Sequence, residues 1–162
     1  MANVNWVAQT NQRLYQCQLL LAEAAKHSDG VAGRALATAL EDGALVQLVA
    51  AYKCYLNELA EAVNHRQLVT NLDALITSAT LVTGDMKQFQ QLESDDYSWL
   101  AELKRGHDGI GLPQAVSQPV VPVTPGLIAS SSAMPSRADS IAGWMAEFQS
   151  MIDVQRDNKR ES

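Results

Sequence analysis

The chain has 162 residues, of which 47% are hydrophobic and 19% are charged, and its formal net charge is −6. This length and composition suit one globular domain with a core, and they exclude a disordered chain. The acidic balance argues against nucleic acid and anionic membrane surfaces as partners, because both attract basic proteins.

The N-terminal residues contain neither the basic segment nor the apolar segment of a signal peptide, and the apolar run GALVQLVAAY is flanked by Glu41, Asp42 and Lys53 and is shorter than the about 20 residues of a membrane span. We therefore expect a cytoplasmic protein without a membrane span. Cys17 and Cys54 are the only cysteines and do not form a CxxC motif. They are interpreted as reduced thiols of a cytosolic protein, with a disulfide between them as the less favoured alternative.

Two long helices are predicted in the first part of the chain, over about residues 5–27 and 31–64. Each carries an apolar stripe at helical spacing, and Ser28-Asp29-Gly30 separates them. Ser28 or Asp29 suits the N-cap of the second helix. Gly43 lies inside that helix, where it predicts a kink or a split into two helices.

A third helix is predicted over residues 68–89, where apolar residues alternate steps of four and three. This is a heptad pattern, typical of a helix that packs lengthwise against others, and it could also support a homodimer. A short helix is predicted over 95–105, with Ser94 as N-cap and Gly106 just after its end.

The composition changes after residue 105, because all five prolines lie between 113 and 135. Residues 106–135 are predicted to form a Pro/Ser/Gly-rich crossover without helix. Pro119, Pro122 and Pro125 are three residues apart, which suits polyproline II structure and recognition by a protein partner.

The last predicted helix starts with Ser136 as N-cap and presents a strong apolar face, including Ile141, Trp144 and Phe148. This face must dock either on its own bundle or on a protein partner, and the sequence leaves both open. The predicted fold is all-α, an antiparallel bundle of about four helices plus a short one. The bundle would span 1–105, the crossover 106–135, and the C-terminal helix 136–162 would complete the same domain.

A repeated stretch raises the question of a duplicated site, because LAEAAKH at 21–27 returns as LAEAVNH at 59–65. On helical wheels, Glu23 and Glu61 lie about 160° from the apolar stripe, and His27 and His65 about 120° from it. Metal-binding carboxylates of helical bundles project inward instead. We interpret the repeat as a shared way of ending a helix, and we predict no metal site.

Other patterns offer no catalytic motif. Gly30 and Leu68 stand three residues after His27 and His65, where a histidine phosphotransfer domain carries a Lys followed by a small residue. GHDGIG at 106–111 lacks the strand, Lys-Ser/Thr and helix of a phosphate loop. His107 and Asp108 form a pair without a third member. The sequence therefore predicts no catalytic residue and no cofactor.

The stretches TNQRLYQCQLLLAEA and LVQLVAAYKCYLNELAEA resemble a small family of gammaproteobacterial proteins, typified in pseudomonads and known only as a domain of unknown function. Thr10 to Tyr15 fit the first element of that family, and Gln118 to Val121 with Ser140 and Trp144 resemble the last. The resemblance covers most of the chain and is weakest over 66–105. It implies a helical bacterial cytosolic protein and brings no activity.

The resemblance directs attention to TNQRLY, where Asn11, Gln12 and Tyr15 lie beside the apolar position Leu14. They are candidates for a polar contact between helices, with ordinary surface polarity as the alternative. The chain is predicted to be a non-enzymatic interaction or regulatory module with a protein partner. A small-ligand-binding bundle or an enzyme with a pocket between helices is the alternative.

Overall fold

The computed structural model describes residues 3–27, 29–113 and 135–161, and these contain helices and no strand. This confirms the predicted all-α fold. The helices, in chain order, are α1 (Trp6–Ala24), α2 (Gly30–Ala62), α3 (Leu72–Ser78), α4 (Gly84–Ser94), α5 (Trp99–Asp108) and α6 (Arg137–Glu161). None of these helices is both long and apolar enough to cross a membrane.

The helical hairpin of α1 and α2 is the largest packing unit of the fold. Asn5 begins α1, because its side chain accepts a hydrogen bond from the Ala8 N–H. The 33 residues of α2 continue through Gly43 without the predicted split. A Cβ at Gly43 would lie 3.3 Å from Leu20 Cδ1, so glycine permits the close approach of the two helices there. Ser28, the alternative N-cap of α2, lies outside the described residues.

The prediction of a single helix over 68–89 is wrong. The chain forms α3 and α4 instead, and residues 79–83 separate them. Asn71 caps α3 and Thr83 caps α4, each by accepting a hydrogen bond from a backbone N–H in the first turn. Serine and threonine side chains compete with helical backbone bonds, and the stretch between 77 and 83 contains four of them. Leu68, predicted to lie in the seam, is 70% exposed.

The segment before α3 is held by Asn57 of α2. Its side-chain amide donates to the carbonyl of Val69 at 2.9 Å and accepts from the N–H of the same residue at 2.9 Å. Asn57 and Val69 are both buried. One side chain thus satisfies two buried backbone groups of a segment without regular structure, which fixes the path between α2 and α3.

The short helix begins four residues later than predicted. Ser98, not Ser94, is the N-cap of α5, and its hydroxyl accepts from the Ala101 N–H at 3.0 Å. Gly106 lies within the helix, and the residue just after the helix is Gly109. A Cβ at Gly106 would meet the Trp144 ring at 3.4 Å, so this glycine is explained by the packing of α6 against α5.

Five aromatic side chains from α2, α4, α5 and α6 form the centre of the core. Their ring centroids lie 5.4 to 6.2 Å apart, mostly in tilted or edge-to-face pairs, and the residues are Tyr52, Tyr55, Phe89, Trp99 and Phe148. The last helix therefore docks on its own bundle. It contributes Ile141, Phe148 and Ile152, all with 0% exposure.

Replacement of Phe148 by alanine removes the only ring of α6 that is fully buried in this cluster. We expect the free energy of unfolding to fall by about 3–5 kcal/mol, because the lost transfer energy is added to the cost of a cavity. Denaturant unfolding monitored by circular dichroism measures the change. Tyr97→Ala is the matched control, since Tyr97 is 90% exposed, and a loss of similar size in that variant would contradict the assignment.

Candidate functional site

A buried ion pair joins the hairpin to the last helix. Glu58 of α2 receives three hydrogen bonds from the Arg156 guanidinium of α6, from Nε to Oε1 at 3.1 Å and from Nη2 to Oε1 and Oε2 at 3.0 and 2.9 Å. The side chains are 7% and 17% exposed, respectively. This two-pronged geometry gives the pair both direction and strength.

Helix α1 completes the environment of both charges. The hydroxyl of Thr10, which is 0% exposed, donates to Glu58 Oε2 at 2.6 Å. Asn11 Oδ1 accepts a hydrogen bond from Arg156 Nη1 at 2.9 Å. The guanidinium also lies over the Tyr55 ring, 5.8 Å from its centroid. Three helices thus meet at one carboxylate and one guanidinium.

The polar contacts continue on the other side of Tyr55. Its hydroxyl donates to Gln155 Oε1 at 2.6 Å, and Gln155 Nε2 donates to Gln88 Oε1 of α4 at 2.7 Å. Gln155 is only 1% exposed. Gln155 therefore connects α6 to both α2 and α4, and its neighbour Arg156 connects α6 to α1 and α2.

Burial changes the acidity of three groups in the core. It raises the pKa of the Cys17 thiol to about 12. Burial also raises the pKa of Tyr55, and the carboxylates of Asp85 and Glu58 raise it further, against an opposing effect of Arg156. The pKa of Tyr52 is raised by burial and by Glu93 and Asp73. The raised pKa values make the thiolate and phenolate forms of these groups even rarer than usual at pH 7, and the thiolate is the nucleophilic form of a cysteine.

The acidic residues of the repeated stretches, Glu23 and Glu61, lie on the surface, whereas His27 and His65 are half-buried. Both histidines lie beyond the helices, because α1 ends at Ala24 and α2 at Ala62. Glu23 is exposed, and His27 Nε2 lies 3.0 Å from its Oε1. Hydrogen bonds from His27 and then Lys26 lower the pKa of Glu23. In the second copy Glu61 is exposed, and His65 Nε2 lies 3.4 Å from Ser78 Oγ. Within the described ranges, no group of three His, Cys, Asp or Glu side chains could hold a metal ion.

The candidate polar residues of α1 have different environments. Asn11 Oδ1 accepts the hydrogen bond from Arg156 Nη1, so this residue of α1 contacts α6. Gln12 and Tyr15 are exposed, and Tyr15 retains 59% of its accessible surface. Asn11 and Tyr15 both line an open groove of about 500 Å³ between α1 and α6.

The residues predicted to bind a partner divide into two groups. Ile141 and Phe148 are buried in the core, while Trp144 is half-buried and its indole N–H donates to Glu102 at 3.1 Å. A partner could reach the two buried side chains only after α6 had left the bundle. Pro119, Pro122 and Pro125, and most of the predicted crossover, lie outside the described residues.

Sequence reasoning missed the residues that form the ion pair. Glu58 adjoins Leu59 of the apolar stripe, Thr10 begins the TNQRLY stretch without being one of its candidate polar residues, and Arg156 belongs to no motif. The only local indication of a buried charge is that the Glu58 carboxylate lies one position from the buried apolar stripe. Its partner is 98 residues away, at a distance that no helical periodicity can predict.

The structure defines the class of the protein as an all-α helical bundle whose last helix is fastened by a buried ion pair. The model of a family of unknown function, DUF6586, matches residues 1–162, and the chain belongs to this family. No curated protein and no solved structure matches the chain.

Arg156→Met leaves Glu58 buried without its charged partner. We expect this variant to lose about 3–5 kcal/mol of unfolding free energy, since a buried charge without a partner is costly. The double variant Glu58→Leu/Arg156→Met removes both charges and is expected to regain most of the loss, as measured by denaturant unfolding. Arg160→Met is the control, because its side chain is 80% exposed. A double variant as unstable as Arg156→Met would contradict this account.

The raised pKa of Cys17 predicts that stability falls in alkaline solution. An unfolded thiol loses its proton near pH 9.0, whereas the folded one keeps it until about pH 12, so stability present below pH 9.0 declines between these values. The tyrosines act in the same direction above pH 10. Unfolding free energies of wild type and Cys17→Ala between pH 7 and 11 test this. An equal decline in both proteins would exclude a contribution from Cys17.

Proposed function

We propose that the protein is a non-enzymatic protein-interaction module. The observation that carries the proposal is the outward face of α1, which is uncharged. Five exposed residues recur on it with steps of three and four, namely Ala8, Asn11, Tyr15, Gln18 and Ala22. Leu19, beside this stripe, is 49% exposed. We call these six residues the α1 face.

The α1 face differs from an ordinary solvated helix surface, which carries charged residues. Residues 3–22 contain no acidic residue and one basic residue, Arg13. Arg13 points elsewhere, because its Nη1 donates to Gln47 Oε1 of α2 at 3.0 Å. An uncharged helical face with an exposed tyrosine has the composition of a helix-recognition surface.

The chemistry of the polar residues in the described core also supports a binding role. Three polar groups that could act in catalysis are instead held in hydrogen bonds within the fold. They are the Thr10 hydroxyl, the Glu58 carboxylate and the Tyr55 hydroxyl. Burial raises the pKa of Cys17 and of Tyr55, which disfavours their ionised, nucleophilic forms still further. This supports a scaffold rather than a catalyst.

A bacterial, cytoplasmic location belongs to the same proposal. Its support is the pair of free cysteines, one buried and one half-buried, which suits a reducing compartment. The sequence resemblance described above supports a bacterial, gammaproteobacterial source.

Small-ligand binding is a second candidate function, favoured by the groove between α4 and α6. This groove has a volume of about 520 Å³ and an amide-rich lining that includes Gln88, Gln91 and Gln155, with Leu92 and Met151 as apolar contacts. It is open to solvent along its length, whereas ligand sites usually enclose most of the ligand. For this reason we place it second to protein binding.

Site-specific photocrosslinking in cells tests the proposed function. A photoreactive amino acid replaces Tyr15 on the α1 face or, as the control, Tyr97, which is 90% exposed in the turn between α4 and α5. We expect discrete protein adducts from position 15 and few from position 97, with mass spectrometry identifying each captured chain. Equal labelling at both positions would contradict the proposal.

A further inference from the structure

We propose that the partner of the α1 face is a second copy of this chain, bound with the two α1 helices antiparallel. This inference rests on the proposed function, because it names the occupant of the same face. The seam predicted over 68–89 does not form one continuous helix, because residues 79–83 separate α3 from α4. It therefore cannot form a dimer interface of the kind predicted from the heptad pattern. The α1 face offers an uninterrupted seam within one helix instead.

Net charge supports self-association through this face. Each copy carries a formal charge of −6, so two copies repel each other unless the contact lies away from their acidic residues. The 20 residues from 3 to 22 contain none of the 18 acidic residues of the chain. Glu23 is the first, and it lies at the end of α1. Asp153 of α6 lines the groove beside Tyr15, but the cationic Arg156 lines it as well. The α1 face is therefore a place where two acidic copies can meet with little net negative charge.

The order of side chains along the face is self-complementary. The seam alternates two kinds of position, one reached by a step of three residues and one by a step of four. In an antiparallel pair of helices related by a two-fold axis, each position of one kind faces a position of the other kind in the second copy. The register that pairs Asn11 with Tyr15 of the second copy also pairs Ala8 with its Gln18. Each larger side chain then meets a smaller one, as close packing of two helices requires. The Tyr15 ring would lie at the mouth of the groove between α1 and α6.

The amide groups on this face suit a symmetric contact as well. In the same register, Gln12 flanks the seam close to the two-fold axis and meets Gln12 of the second copy. A glutamine amide both donates and accepts, so two identical side chains can bond each other without any charged partner. Asn11 remains bonded to Arg156 within its own chain. The pairing thus requires no rearrangement of the buried ion pair.

Charge substitutions at Gln12 test this arrangement with the full chain. Gln12 is exposed within α1, so Gln12→Glu and Gln12→Lys leave the core intact. Sedimentation equilibrium should show dimers for the wild type, and each variant alone should associate about ten-fold more weakly or worse, because like charges meet at the axis. An equimolar mixture of the two variants should regain the dimer. Gln90→Glu, at an exposed position of α4, is the control and should behave as wild type.

Three results would overturn the inference. The wild type could remain monomeric at about 0.1 mM, a concentration that detects a Kd in that range. Its dimer could be unchanged by Gln12→Glu, or the Glu and Lys variants could fail to recover it together. If the purified chain is monomeric while position 15 captures a different protein in cells, the proposed function stands and only the identity of the partner is wrong.

Discussion

The carboxylate of Glu58 is the constraint on which the arrangement of the helices depends. A charged group in a helix interface must have a partner and hydrogen bonds, because desolvation without them costs several kcal/mol. Thr10 supplies one bond from α1, and Arg156 supplies three from α6. These bonds specify both the lateral position of α6 and its register along α2. Apolar packing alone would define that register less strictly, since leucine and phenylalanine contacts are not directional.

The aromatic cluster and the polar contacts act on the same helix in different ways. Phe148 supplies apolar burial against Tyr52 and Phe89, whereas Gln155 and Arg156, about two turns further along α6, supply directional hydrogen bonds. Tyr55 belongs to both sets, because its ring packs in the core and its hydroxyl bonds to Gln155. The last helix is consequently an integral part of the core, and the α1 face, which adjoins the groove between α1 and α6, remains exposed.

The sequence predicts the long helices well and the middle of the chain poorly. Periodicity identifies α1, α2 and α6 because each has an apolar stripe several turns long. It fails between 68 and 89, because the spacing continues through residues whose side chains cap new helices, such as Thr83. Asn11 could be singled out as a polar residue beside a seam. The bond between Asn11 and Arg156 could not be predicted, because 145 residues separate them along the chain and only the folded chain brings them together.

The distance along the chain between Glu58 and Arg156 has a consequence for biosynthesis. Translation proceeds from the N-terminus, so the α1–α2 hairpin leaves the ribosome before α6 has been made. During that interval Tyr52 and Tyr55 lack the cover of Phe148. The nascent hairpin therefore exposes part of its apolar side until the last helix has been made.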